Sequence, residues 1–379
     1  MWNHKYLESE LRDVMNILIV STGKFDLDGI TNVILNYYRA LDKSGMHIDF
    51  AFPNEIRKDL REELEAGGSV IHRIKGRKKK PLTYMNKLTK LIKENKYDIV
   101  HAHGNSCTLA LETYAAYRGG AKVRIPHSHN STSNFKFAHW TLRRLFHATY
   151  THGFACGKLA GEWLYGGKPF EIINNAIFLD DFKYNAEVRK EYRNKYHFAG
   201  KKVVGHIGHF TFQKNQDYLV EIFKSLVMKD PDYRLLLIGD GGLKSEVEKK
   251  VQDLGLADKV VFTGKSMEIP ELLQAMDIMV MPSRFEGMPL TLVEAQAACL
   301  PCLISDEISR EAEITSLVKF SSLKSSPENW AKQILEMSIV DREELKSVIV
   351  EQINNKGYNI VVNSEKMKAL YVSYLEEQQ

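Results

Sequence analysis

Asp277-Ile-Met-Val-Met281-Pro282-Ser283-Arg-Phe-Glu286-Gly287-Met288-Pro289-Leu290-Thr-Leu-Val-Glu294-Ala-Gln reads as a strand, a loop and the opening of a helix. The apolar run 278–281 is short and stops at a breaker, Pro282, which marks a buried strand. Two carboxylates, Glu286 and Glu294, stand eight positions apart. That is about two helical turns, so both can face one cleft. At a strand-to-helix junction the first free backbone N–H groups favour an anion, typically a phosphate. Glu286 at the mouth and Glu294 deeper along the helix would then hold a polyol beside that phosphate. The plainer alternative is one solvated acid and one helix-face acid.

Outward from this junction, short apolar runs alternate with helical patterns, the signature of parallel strands joined by crossover helices. In the first half, strands are expected at 16–20, 47–51, 69–71, 98–102, 123–126 and 153–155, with the clearest helix over 31–44. The second half restarts at 202–207 and continues with 233–238, 260–262, 278–280 and 301–304. The charged stretch 182–200 between them reads as a hinge. The expected class is α/β: two facing, doubly wound domains, 1–185 and 186–364. In such sheets ligands bind outside the carboxyl ends of the strands, here in the cleft between the domains. A nicotinamide-dependent dehydrogenase would share this rhythm. Yet the first strand is followed by Ser21-Thr-Gly-Lys-Phe-Asp-Leu-Asp28-Gly29 and not by the Gly-rich dinucleotide spacing.

A chain of 379 residues is too long for one ordinary core, and 44% hydrophobic with 26% charged residues suits a soluble enzyme. No apolar run approaches the ~18 residues of a membrane helix. Residues 1–14 carry Glu8, Glu10 and Asp13 and lack the apolar core of a secretory signal, so they read as an extension ahead of Met15. Four dispersed cysteines point to a reducing cytoplasm. Cys299-Leu-Pro-Cys302 follows a helix and enters an apolar run, the reverse of a redox pair, and reads as a helix-to-strand turn. Residues 1–180 hold 26 Lys and Arg against 18 Asp and Glu, whereas the remainder holds 26 against 30. The basic half concentrates charge in Arg77-Lys78-Lys79-Lys80 and in Arg143 and Arg144 among Phe137, Trp140 and Phe146. That mixture suits an anionic membrane surface or a solvated loop beside a core helix. Nucleic acid is disfavoured, because the second half is net acidic and no recognition motif is present.

Gly208-His209-Phe-Thr-Phe-Gln-Lys214-Asn215 also links a strand to a helix, which makes Lys214 a phosphate clamp as readily as a solvated side chain. Together with this loop, Glu286-x7-Glu294, Leu237-Ile-Gly-Asp-Gly-Gly242, Val261-Phe-Thr-Gly264 and Asp98-Ile-Val-His101-Ala-His103-Gly104, the chain resembles the family 4 glycosyltransferases. Val123-Arg-Ile-Pro-His127-Ser-His129-Asn130 is similar to members that build bacterial capsular or exopolysaccharide.

The resemblance implies the GT-B fold, with two Rossmann-like domains and the 365–379 helix packing back on the first. It implies retaining transfer from a nucleotide-diphosphate sugar, UDP-hexose or UDP-N-acetylhexosamine, with no cofactor and no metal. The acceptor would be a lipid-linked glycan or oligosaccharide, at the inner face of the plasma membrane. Glu294 would hold the ribose hydroxyls and Glu286 the donor sugar. The backbone of Gly287, Met288, Pro289 and Leu290 would cradle the phosphates, and Lys214 would neutralise the leaving diphosphate. Gly208 and His209 would border the donor. Gly264, Lys265 and Ser266 would hold the base, and Gly29 would approach the donor phosphates. His127 would stand beside the reacting bond, with His129, Arg143, Arg144, Lys78, Lys79 and Lys80 on the acceptor or membrane side.

Two positions depart from the family pattern. His209 stands where arginine is usual, which exchanges a fixed charge for one that titrates near neutrality. Asp28-Gly29 replaces paired glycines, and an aspartate facing a phosphate would repel it. These departures keep open a GT-B-shaped binding subunit without turnover. The pairs His101/His103 and His127/His129 also raise a metal, but no acid or cysteine at matching spacing completes a ligand set.

Overall fold

The computed structural model describes residues 14–26, 28–133, 136–337 and 340–378. The extension expected over 1–14 therefore lies almost entirely outside the described residues. The chain divides into two compact units, Met1–Asn174 with Val361–Gln379, and Asn175–Ile360. The first carries seven strands: β1 (Met15–Ser21), β2 (Met46–Phe52), β3 (Ile71–Arg73), β4 (Ile99–Gly104), β5 (Val123–Ser128), β6 (Phe154–Ala155) and β7 (Glu171–Ile172). The second carries six: β8 (Lys202–Ile207), β9 (Tyr233–Ile238), β10 (Val260–Gly264), β11 (Ile278–Met281), β12 (Cys302–Ser305) and β13 (Val318–Ser321).

Within each unit the strands form one parallel sheet, ordered β3-β2-β1-β4-β5-β6-β7 and β10-β9-β8-β11-β12-β13. The order reverses between β1 and β4 in the first sheet and between β8 and β11 in the second. At such a switch point the loops diverge to opposite faces and leave a crevice above the carboxyl ends. Both loops singled out by the sequence, 208–215 and 282–289, leave strands at the second switch point.

The core follows from the doubly covered sheet. Helix Gln216–Val227 lays Leu219, Val220, Ile222, Phe223 and Leu226 against Leu235, Leu237 and Trp330. Each such side chain contributes about 1.5–3 kcal/mol of apolar burial.

The hinge expected over 182–200 is not what these residues form. Helix Ala186–Lys195, capped by the Asn185 side chain, is bound to the second unit. Arg189 and Arg193 both pair with Asp277 and donate to the carbonyls of residues 274–276. The boundary falls earlier, at Asn174/Asn175, because Ile177 pairs with Asn359 and exchanges backbone hydrogen bonds with residues 358 and 360. The C-terminal helix Ile360–Glu376 lies on the first unit: Ser364 Oγ donates to the Ala40 carbonyl, Lys368 pairs with Asp42, and Tyr374 stacks on His152. Among the described residues no helix is long and apolar enough to cross a membrane.

Candidate active site

Glu286 lies in the loop, four residues before the helix Leu290–Ala297, so only Glu294 sits on the helix itself. Pro289 is the residue preceding that helix, and no side chain caps it. The free amides of the first turn therefore remain available to an anion. Asn175 Nδ2 donates to the Met288 carbonyl at 2.8 Å and fixes the loop from below.

The two strand-to-helix loops are tied together. Arg284 N donates to the Gln213 carbonyl (2.8 Å), Asn215 Nδ2 to the Pro282 carbonyl (2.9 Å), and Arg284 Nη2 to Asn215 Oδ1 (2.9 Å). Asn215 takes a left-handed conformation, φ 58°, to make this turn, which asparagine tolerates better than most residues. The result is an ion pair: Lys214 Nζ stands 2.7 Å from Glu286 Oε1, while Gln213 Nε2 donates to Glu286 Oε2 at 3.1 Å. The lysine stem crosses Gly208, where a Cβ would meet Lys214 Cε at 3.0 Å. Gly239, at φ +137°, brings its Cα against the Gly208 carbonyl, so close that a Cβ would stand 2.1 Å from that oxygen.

Glu294 is buried, and among the described residues nothing bonds its carboxylate. Burial raises its pKa to about 7. An acid stored this way accepts hydrogen bonds strongly once a ligand supplies hydroxyl donors. His209 is exposed and its Nδ1 donates to the Asp240 carbonyl at 3.0 Å, which leaves Nε2 as the outward nitrogen. Gly264, at φ +72°, accepts from Gly239 N, and Ser266 Oγ caps the turn into the next helix by accepting from Glu268 N. Lys265 is exposed beside them.

In the first unit the repulsion feared from Asp28 does not arise, because its carboxylate accepts from Thr31 N and caps the helix Gly29–Ala40. Gly29 opens that helix with free space where a Cβ would be. Of the basic run, Arg77 is turned inward to a bidentate bond with the fully buried Glu112, so it is not part of a charged surface. Lys78, Lys79 and Lys80 are exposed. Arg143 lies over Trp140 and against Gly166, whereas Arg144 is exposed, as are Phe137 (84%) and Trp140 (60%).

The four histidines of β4 and the β5 end form one buried array. His101 Nε2 lies 3.1 Å from His127 Nδ1, and His103 Nδ1 lies 2.8 Å from His129 Nε2. His101 stacks on His103, and His127 on His129, both at 4.2 Å. Burial first, and the neighbouring imidazoles second, hold His103 and His127 neutral, with pKa values well below the usual range. Nitrogens of His101, His103 and His127 come within 4.8 Å of one another. Stacked rings, however, keep their lone pairs in near-parallel planes, and two of these nitrogens already bond each other.

Several groups at the second switch point carry no motif. Among the described residues buried Thr291 Oγ1 and Ser283 Oγ have no bonding partner, and His206, whose Nδ1 donates to the Val280 carbonyl, has an unpartnered Nε2. Burial depresses the His206 pKa to about 4. Thr291 and Ser283 lie within the quoted junction and were findable from it; Asn175 and His206 show no sequence signal.

Two family models match the chain. The one described as Glycosyl transferases group 1 matches residues 188–355, and the one described as Glycosyltransferase Family 4 matches 27–178. The α-1,3-galactosyltransferase of Escherichia coli, named for UDP-Gal and α-D-GlcNAc-diphosphoundecaprenol, is 28% identical over 75% of this chain and 78% of its own. Among solved structures, Anabaena Alr3699/HepE in complex with UDP-glucose superposes with TM-score 0.77 at 17% identity, covering 95% of this chain and all of the other. WaaG, a glycosyltransferase of lipopolysaccharide biosynthesis, gives 0.71 at 15% identity over 94% and 99%. These two establish the GT-B fold. The Bacillus subtilis protein named "Putative glycosyltransferase EpsF" is 32% identical across 90% of this chain and 93% of its own, and the chain accordingly belongs to the family 4 glycosyltransferases.

Proposed function

We propose that this glycosyltransferase moves a hexosyl or N-acetylhexosaminyl group from a uridine diphosphate sugar to a lipid-linked glycan, with retention of configuration and without a metal or other cofactor, in bacterial polysaccharide assembly. The observation that carries the reading is the second switch point. An uncapped helix start lies between a lysine-paired Glu286 and a buried, unbonded Glu294. Amides and Lys214 supply the positive end a diphosphate needs, and Glu294 accepts from two adjacent ribose hydroxyls. As the sugar departs, Lys214 is released from Glu286 toward the leaving phosphate, and Glu286 turns to the sugar hydroxyls. Gly264, Lys265 and Ser266 border the base, and His209 Nε2 and Gly208 border the phosphates. His127 and His129 stand on the acceptor side.

The E. coli relative, named for a UDP-sugar and a diphosphoundecaprenol-linked acceptor, supports the choice of both substrates. The exposed Phe137, Trp140 and Arg144 support a membrane-surface location, since aromatic and basic side chains together favour an anionic interface. The test is release of UDP from UDP-hexoses and UDP-N-acetylhexosamines with and without acceptor. Turnover that Glu286→Ala abolishes, with UDP binding retained, is expected. Binding of UDP with no turnover on any donor would favour a non-catalytic subunit instead.

A further inference from the structure

His127 is tied to a residue 244 positions further along the chain. Tyr371, on the C-terminal helix, is buried, and its hydroxyl lies 2.6 Å from His101 Nδ1. His101 Nε2 in turn lies 3.1 Å from His127 Nδ1. The two rings are 8° from parallel with centroids 5.3 Å apart. That separation exceeds the nitrogen separation by two ring radii, so the rings lie end to end in one plane, the geometry of a straight N–H···N hydrogen bond.

A chain of this kind has two senses, and one end selects between them. If the Tyr371 hydroxyl accepts from His101, its own proton must find another acceptor, and among the described residues His101 Nδ1 is the hydroxyl's hydrogen-bond partner. A buried donor left unmade costs more than the bond it replaces. The hydroxyl therefore donates to His101 Nδ1. His101 then carries its proton on Nε2 and donates to His127 Nδ1, and His127 carries its proton on Nε2. Among the described residues that nitrogen is buried without a bonding partner.

Resting on the reading that His127 meets the sugar-bearing ligand, we propose that Tyr371 and His101 are positioning residues that lock His127 as a neutral Nε2–H donor to a ligand oxygen. In that state His127 supplies a proton to share and does not act as a base toward the acceptor. The depressed pKa values of the array keep it uncharged while it does so. The parallel pair His103–His129 stacks on this one and holds both rings flat.

The test is long-range proton–nitrogen correlation on the full chain labelled with ¹⁵N-histidine, His127 being assigned by the signal lost in His127→Gln. The wild type should show His127 protonated at Nε2 and bare at Nδ1. Tyr371→Phe keeps the ring and removes the donor. It should convert this to a mixed tautomer and lower kcat about tenfold, one hydrogen bond's worth, with the donor KM little changed. A wild-type proton on Nδ1 overturns the proposal, as does a Tyr371→Phe enzyme with unchanged tautomer and kcat. If that variant does not fold, the wild-type spectrum alone decides. Should the wild type turn over no nucleotide sugar, the functional reading fails while the spectrum still judges the relay.

Discussion

Replacing Glu294 by Gln is expected to stabilise the second unit at alkaline pH while removing nucleotide binding. Burial lifts this carboxyl from 4.5 to about 7. Between those values the unfolded chain has released its proton and the folded chain keeps it, so stability falls as pH rises. The loss is complete above the folded value. At 1.36 kcal/mol per unit, ionised Glu294 costs on the order of 3 kcal/mol. Gln, of nearly the same shape, carries no such cost. In thermal unfolding the variant should melt roughly 6–12 °C above wild type near pH 8. The gap should close as pH approaches 4.5. Wild type with UDP at a hundred times its Kd gains about 2.7 kcal/mol, and the variant gains little. A gap independent of pH, or a variant less stable than wild type at pH 8, would refute the assignment of burial as the cause.

Lys214→Met leaves Glu286 buried without its cation and should cost about 3 kcal/mol in urea unfolding, whereas Lys214→Met with Glu286→Leu should recover stability and remain inactive. Asp277→Asn, which strips two arginines of their partner, should destabilise the second unit by a similar amount, measured the same way. His209→Arg should stay active, read from kcat/KM with the donor sugar varied. An inactive but folded variant would count against a phosphate-facing role. Anionic vesicles should sediment the protein, and Phe137→Ser with Trp140→Ser and Arg144→Ser should release it. Unchanged sedimentation would remove the membrane claim.

Strands with continuous apolar character were legible because both faces of each sheet are covered, as at 202–207 and 233–238. The ends of each sheet were not. Glu171–Ile172 is two residues long, and Val318–Ser321 has an exposed lysine in its middle, so neither shows a run. Strand β3 starts two residues late, since Val70 is half exposed. The stretch 182–200 misled because charge normally signals solvent. Here the guanidinium groups of Arg189 and Arg193 are consumed by Asp277, a partner more than eighty positions away. In the site, each His-x-His pair was visible at strand spacing. That they bond across strands required knowing β4 and β5 are neighbours, and nothing local connects Tyr371 to either.

The main-chain bond between Arg284 and Gln213 makes two loops behave as one length of structure. An insertion or deletion in either would carry Lys214 away from Glu286 unless the other changed to match. Related enzymes should therefore vary in these two segments jointly. Loop grafts meant to alter donor choice should succeed only when both segments are exchanged from the same source.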